Sequence, residues 1–330
     1  MSKISLAFGG DVMLGRTVNE YMNQYEPAYP FGDVLPLLKN ADLTFINLEC
    51  VITSHKKESE LLKPFYFRAD KIAIDSLKAA GIDYVSLANN HILDFQEKGM
   101  LDCIKLLDKN GIKHAGAGKN LKEASKPALL ETNGIKIAVL SYADHHIEWR
   151  ATKNRPGINY TPITLDAKQL DRIKDSIKKA KELADFLIFS IHWGPNMREN
   201  PPTEFIRFAH AIIESGADIF HGHSAHIFQP VEIYNGRPIF YDCGDFVDDY
   251  AVDPDLRNDY ALLYFVIIDP DKKKIEKIEL IPCLIHSYKC QVNLAESDIF
   301  EEIYEKIKNL SIKFGTKIRR EGNRLIIKLD

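Results

Sequence analysis

Short unbroken apolar runs alternate with amphipathic stretches through the first two-thirds of the chain. The runs at 4–10, 43–48, 84–88, 186–191 and 218–220 have the length and continuity of strands buried on both faces. Between them, 17–24, 33–40, 70–80, 96–110, 167–183 and 203–215 read as helices. Asp70 is placed to cap the helix at 70–80, and Gly81 and Gly111 follow the ends of the third and fourth helices. The fifth is lysine-rich on one face and carries Ile173, Ile177 and Ala180 on the other, a solvated surface over an apolar stripe. Such alternation predicts βαβ units and a mostly parallel sheet.

The pattern then changes. Asn133-Gly134 lies between runs at 128–132 and 136–142, and Asn235-Gly236 between 231–234 and 238–241. Both are hairpin signals. A third pair, 262–268 and 274–284, flanks the charged turn 269–273. These hairpins predict a second, antiparallel or mixed sheet beside the first. The tail reads as a helix at 298–310 and a strand at 324–329. No internal repeat or low-complexity linker divides the chain. Residues 1–250 form the body of one domain in this reading, and 251–330 supply strands and a helix that complete it.

Composition narrows the function. A net charge of −4 over 330 residues is no basic surface for nucleic acid, and no aromatic-rich tract suggests a nuclease. The five cysteines contain no CxxC pair, which points to reduced, buried thiols and away from thiolate zinc. No signal-type leader and no apolar stretch near the ~20 residues that span a bilayer are present, so a soluble, cytoplasmic protein with no transmembrane segment is expected. Oligomeric state is not readable.

The candidate chemistry lies at the ends of the apolar runs. The first ends in Asp11, the second in Glu49, the third in Asn89-Asn90-His91, the fourth in His192, and the fifth leads into 221–226 with His223 and His226. In open α/β sheets, ligands bind beyond the carboxyl ends of the strands. Carboxylates, amides and imidazoles gathered there make a hard-to-borderline metal site. Asp11, Glu49, Asn90, His192, His223 and His226 are six candidate metal ligands. A single ion takes three or four, so the count points to two. His91 is a candidate general acid and Asp94 its orienting partner, although Asp94 is equally placed to cap the helix that follows. Asn89 and Asn90 have the alternative of holding a tight turn. His221 is expected to point away as a hydrogen-bonded structural histidine. Arg16 is a candidate for binding an anionic substrate group, with an ordinary surface arginine as the alternative. Asp245, with Asp248 and Asp249, is expected in a charged turn, with an added acidic contact to the site as the alternative. The segments 53–63 and 144–166 are candidate lids.

In order, Gly10-Asp11, Asn47-Leu48-Glu49, Asn89-Asn90-His91, His192-Trp193-Gly194 and Gly222-His223-Ser224-Ala225-His226 resemble the calcineurin-like metallophosphoesterases. Within them the pattern most resembles the poly-gamma-glutamate capsule synthesis (CapA-type) family, over about residues 4–250. The resemblance implies a four-layer α/β/β/α sandwich of two mixed sheets flanked by helices. It also implies a dinuclear centre of manganese, iron or zinc that activates water for phosphoester hydrolysis, with the six ligands and His91 in the roles above. The substrate implied is a phosphoester or an anionic polymer. The alternative is a non-hydrolytic accessory in polyglutamate synthesis or export, for which Lys56, Lys57, Lys63 and Arg68 are candidate rim cations. Three departures stand out. Met13 occupies a position that phosphoesterases give to histidine, Glu49 replaces an aspartate, and two residues separate His223 from His226.

Overall fold

The first apolar run becomes the strand Ile4–Val12 in the computed structural model, which describes residues 2–329. It lies in a ten-stranded sheet. On one side it pairs in parallel with Leu43–Leu48, followed outward by Tyr84–Ser86 and Lys113–Ala115. On the other side it pairs antiparallel with Tyr260–Asp269, which leads on to Lys274–His286 and Arg324–Lys328. A short strand, Asp245–Val247, adds to the end of Ile4–Val12 in parallel, opposing Asp245 to Asp11. Gly10 permits this approach. A Cβ there would stand 1.8 Å from the Gly244 carbonyl oxygen.

A second sheet of six strands runs in the order Val231–Tyr234, Arg237–Phe240, Ile219–His223, Phe186–His192, Ile135–Ala143, Ala128–Thr132. Its four middle strands are parallel and its two edges antiparallel. The predicted elements form within a few residues of their expected bounds, and a second, mixed sheet stands beside the first as expected. Two of the three hairpins are its edges, whereas the third extends the first sheet, which is therefore mixed too. Parallel strands need crossovers, whereas a hairpin can attach to any open edge. Asp70 also does not take the N-cap position. Lys71 stands there, and Asp70 Oδ1 accepts from Ile72 N–H at 3.0 Å.

Three apolar layers hold the elements together. Phe8, Phe45, Tyr84 and Tyr264 of the first sheet pack with Ile188, Ile219 and Phe240 of the second. Phe300, Ile303 and Ile307 of the helix Ser297–Ser311 close this layer. Behind the first sheet, Ile46 and Val85 meet the helices Arg16–Gln24, Ile72–Ala79 and Gln96–Lys109 through Val18, Leu77 and Cys103. Behind the second, Leu187 and Phe189 meet Ile173 and Ile177 of Ala167–Lys181 and Phe208 and Ile212 of Thr203–Glu214. All five cysteines are free and buried. Among the described residues no helix is long and apolar enough to cross a membrane.

Candidate metal centre

Parallel pairing brings the functional side chains to one end of both sheets. Asp11 opposes Asn47 across the first sheet, and Glu49 follows directly. His192 and His223 are register partners on adjacent strands of the second. The backbone N–H of Ser224 donates to Asp11 Oδ2 at 3.0 Å and so ties the second sheet's end to the first.

Two groups of ligand atoms result. Asp11, His192 and His223 form one, and Asp11, Glu49, His226 and Asp245 form the other, with Asp11 common to both. His192 Nδ1 and His223 Nδ1 are 3.0 Å apart and lie 3.8 and 3.6 Å from Asp11 Oδ1. His192 Nε2 is 3.9 Å from Glu49 Oε1. His226 Nδ1 is 2.9 Å from Asp245 Oδ1. The loop carrying His226 is strained, with φ of +123° at Ser224 and +62° at His226. Such conformations persist where the surroundings enforce them, often at functional sites.

Electrostatics favour a cation here. Burial, opposed by His226 and by hydrogen bonds from Asn47 and Ser224, pushes the Asp11 carboxyl up to about 6. Burial first and the Asp11 charge second raise Glu49. Asp245 is raised by burial and by Asp248. Burial drives His192 and His223 down, so their rings are held neutral, the form that ligates metals. Glu49 Oε1, His192 Nε2, Asn90 Oδ1 and Asp245 Oδ2 are buried without a hydrogen-bond partner. Buried polar atoms normally find partners, and three of these orphans, on Glu49, His192 and Asp245, belong to groups that share Asp11, a donor set that fits divalent ions. The cluster is one that could bind metal.

His91 and Asp94 sit at its margin. His91 Nδ1 and Asp94 Oδ2 are 2.5 Å apart, and His91 Nε2 lies 4.0 Å from Glu49 Oε1. The His91 ring stacks on Phe67 with centroids 3.9 Å apart. Asp94 does not cap the following helix, whose N-cap residue is Phe95 with no side-chain bond. Its carboxylate instead accepts from Phe67 N–H and Lys63 Nζ. Arg16 stands outside the cluster, 3.4 Å from Asp249, with its guanidinium near the Phe65, Phe67 and Tyr250 rings. Its φ is +52°.

Asn89 proves to be a brace. Its Oδ1 accepts from the N–H groups of His91 and Ile92, each at 3.0 Å, and its Nδ2 donates to Leu48 O and Asn47 Oδ1. His221 does not point away. Residues two apart on a strand share a face, and the His221 and His223 ring centroids are 5.3 Å apart. Asp245 belongs to the cluster, because its three-residue strand docks on Ile4–Val12. The sequence signal available for it was the Gly-Asp-Phe triplet near the end of the matched motifs.

Three further contacts escaped the sequence reading. Tyr250 donates to Glu49 Oε2 at 3.2 Å. Asp144 accepts from Gly194 N–H and pairs closely with His145, whose ring lies 5.3 Å from that of His192. Lys63 is turned inward: Nζ contacts Asp94 at 2.6 Å, the Asn90 carbonyl, and the face of Trp149 at 4.9 Å. The two segments expected as lids therefore meet beside His91. Arg68 is likewise engaged, with Thr53 O and the Phe95 ring, so of the four expected rim cations Lys56 and Lys57 alone stay exposed. Burial and the Lys63 charge help hold the His91 imidazole down at about 4, against Asp94, which raises it. Lys63→Met is expected to move that value upward in an NMR titration of the His91 ring. An unmoved value would mean that the ammonium does not reach the imidazole electrostatically.

The fold and site thus define a mixed α/β protein with a buried histidine–carboxylate cluster at the joint of its two large sheets. The chain belongs to the bacterial capsule synthesis protein family PGA_cap, which matches residues 5–250. It is 29% identical to a Mycobacterium tuberculosis protein named probable polyglutamine synthesis accessory protein, over 98% of this chain and 95% of that one. It is 34% identical to the capsule biosynthesis protein CapA of Bacillus anthracis, over 75% of this chain and 60% of that protein. Among solved structures, a hypothetical protein from Thermus thermophilus shares the fold, with a TM-score of 0.50, 16% identity, and coverage of 84% of this chain and 98% of that one.

Proposed function

We propose that the chain is a metal-dependent hydrolase of the calcineurin-like phosphoesterase type. Asp11, His192 and His223 would hold one divalent ion, and Asp11, Glu49, His226 and Asp245 a second, with the partnerless Asn90 Oδ1 available to complete the set. The observation that carries this is the Asp11 shared by both groups, beside the unpaired His192 Nε2 and the unpaired oxygens of Glu49 and Asp245. Manganese, iron or zinc suits such donors. Ions held there supply Lewis acidity toward a phosphoryl oxygen and toward water. The three apolar layers support a four-layer α/β/β/α sandwich. The pairing of Tyr260–Asp269 with Ile4–Val12 supports treating 251–330 as part of the same domain as 1–250.

His91 handles the proton. Donation from Nδ1 to Asp94 leaves the Nε2 lone pair facing Glu49 and the cluster. A phosphoester dianion beside it raises its basicity, because an opposite charge favours the imidazolium. Nε2 then takes up a proton from solvent and delivers it to the leaving oxygen as the bond from that oxygen to phosphorus breaks. Arg16, on the aromatic rim, is placed to meet an anionic portion of the substrate.

A second reading, an accessory that binds an anionic polymer such as polyglutamate without hydrolysis, is favoured by Met13. Its Sδ accepts from Gly15 N–H at 3.1 Å, so this position adds no imidazole to the cluster. The name of the Mycobacterium tuberculosis relative, a probable accessory protein, agrees with this reading. A manganese-loaded sample assayed on aryl phosphomonoesters and diesters decides between them. Turnover that chelation abolishes, and that His226→Ala or Asn90→Ala removes, is expected. Polyglutamate binding with no turnover on any ester would replace the hydrolase reading by the accessory one.

A further inference from the structure

Every polar hydrogen around His223 can be placed by following donors and acceptors outward from groups with no choice. The carbonyl oxygen of Gly9 can only accept, and His221 Nε2 lies 3.0 Å from it. Nε2 of His221 therefore carries the proton. The ring is fully buried and its nitrogens face a carbonyl and a hydroxyl, with no carboxylate to stabilise a charge, so it is neutral. Its Nδ1 is then a lone pair, 3.3 Å from Ser190 Oγ. The Ser190 hydroxyl has one hydrogen, which goes to His221. Toward His223 Nε2, 3.0 Å away, Ser190 can only accept. His223 Nε2 is thus protonated, and its Nδ1 lone pair faces Asp11 and His192. Ser190, His221 and His223 are each fully buried, so water offers none of them another partner.

A second chain leads to His192. Asn89 Oδ1 is fixed as oxygen by two backbone N–H donors. Its amide nitrogen donates to Asn47 Oδ1, which makes the other Asn47 atom a nitrogen. That Nδ2 donates to Asp11 Oδ1 at 2.6 Å and lies 3.4 Å from His192 Nδ1. His192 Nδ1 lies 3.0 Å from the His223 Nδ1 lone pair, so a proton or a cation must lie between the two nitrogens.

We propose that Ser190 and His221 are positioning residues that lock His223 in its Nε2–H tautomer, so that Nδ1 is committed to a divalent cation. Gly9 anchors the chain from the opposite sheet, within the stretch where its ladder with Leu43–Leu48 shifts register. This rests on the metal reading for the value of the lock, but the lock itself is a property of the metal-free protein. Outer partners of metal-bound histidines typically change affinity about 10–100-fold when removed.

Long-range 1H–15N correlation of histidine-labelled, metal-free protein reads the tautomers directly. His221 and His223 are expected as Nε2–H. In Ser190→Ala, His223 should lose its single tautomer and Mn2+ affinity by calorimetry should fall about 10–100-fold. Ser190→Thr, which keeps the hydroxyl, should restore both. An Nδ1–H His223 in the wild type overturns the proposal, as does a Ser190→Ala protein with unchanged tautomer and affinity. If Ser190→Ala does not fold, the wild-type spectrum still decides. If the wild type binds no metal yet shows the expected tautomers, the hydrolase reading fails while the lock stands.

Discussion

Glu49→Gln is expected to melt at a higher temperature than the wild type when both are free of metal, and to gain far less from Mn2+. The reasoning starts from what Glu49 touches. Its Oε2 accepts from Tyr250, its Oε1 has no partner, and burial together with Asp11 raises its pKa. A neutral amide keeps an oxygen for Tyr250 and removes a charge that burial disfavours. For a carboxyl raised by folding, stability is fully present below the unfolded value, here 4.5, and is lost as pH rises through the folded one. The advantage of the variant should therefore be absent below about pH 4.5 and grow at higher pH. With Mn2+ at 100 times its Kd, the wild type should gain about 2.7 kcal/mol, on the order of 5 °C in Tm. Thermal melts across pH, with and without Mn2+, check both arms. A variant less stable than the wild type at neutral pH without metal would contradict the electrostatic account of the cluster.

His91→Gln carries the second large effect, on turnover. With metal-holding residues intact, Mn2+ content and affinity should be unchanged, while kcat on an aryl phosphoester falls about 10²–10⁴-fold. Asp94→Asn should reproduce part of the loss, because an amide at 2.5 Å holds the His91 ring less firmly than a carboxylate. Both variants need metal analysis beside the kinetics. Full turnover in His91→Gln would remove the imidazole from the proton transfer, and loss of Mn2+ in it would recast His91 as a ligand.

The difference between what was legible and what was not follows the range of the interactions. Ile4–Val12, Leu43–Leu48, Phe186–His192 and Ile219–His223 were readable because a strand buried on both faces must be apolar throughout. A carboxylate or imidazole at the end of such a run stands out against it, which is how Asp11, Glu49, His192 and His223 were singled out as candidates. Asp245 was not readable in this way. Its strand is three residues long, and its partner lies more than two hundred positions earlier. Lys63 reads as a surface cation in any window, and only the folded chain sets Asp94 and Trp149 around it.

The order of strands and helices, the hairpins at Asn133-Gly134 and Asn235-Gly236, and the set of ligand types at the strand ends are determined by the sequence alone, since local periodicity and turn chemistry need no distant partner. Tertiary structure decided which sheet each hairpin joined, that Asp11 is shared by two groups, and which nitrogen of His223 bears the proton. Those depend on contacts such as His221 with Gly9 and Ser224 with Asp11, which exist only once two sheets close on each other and water has left the space between them.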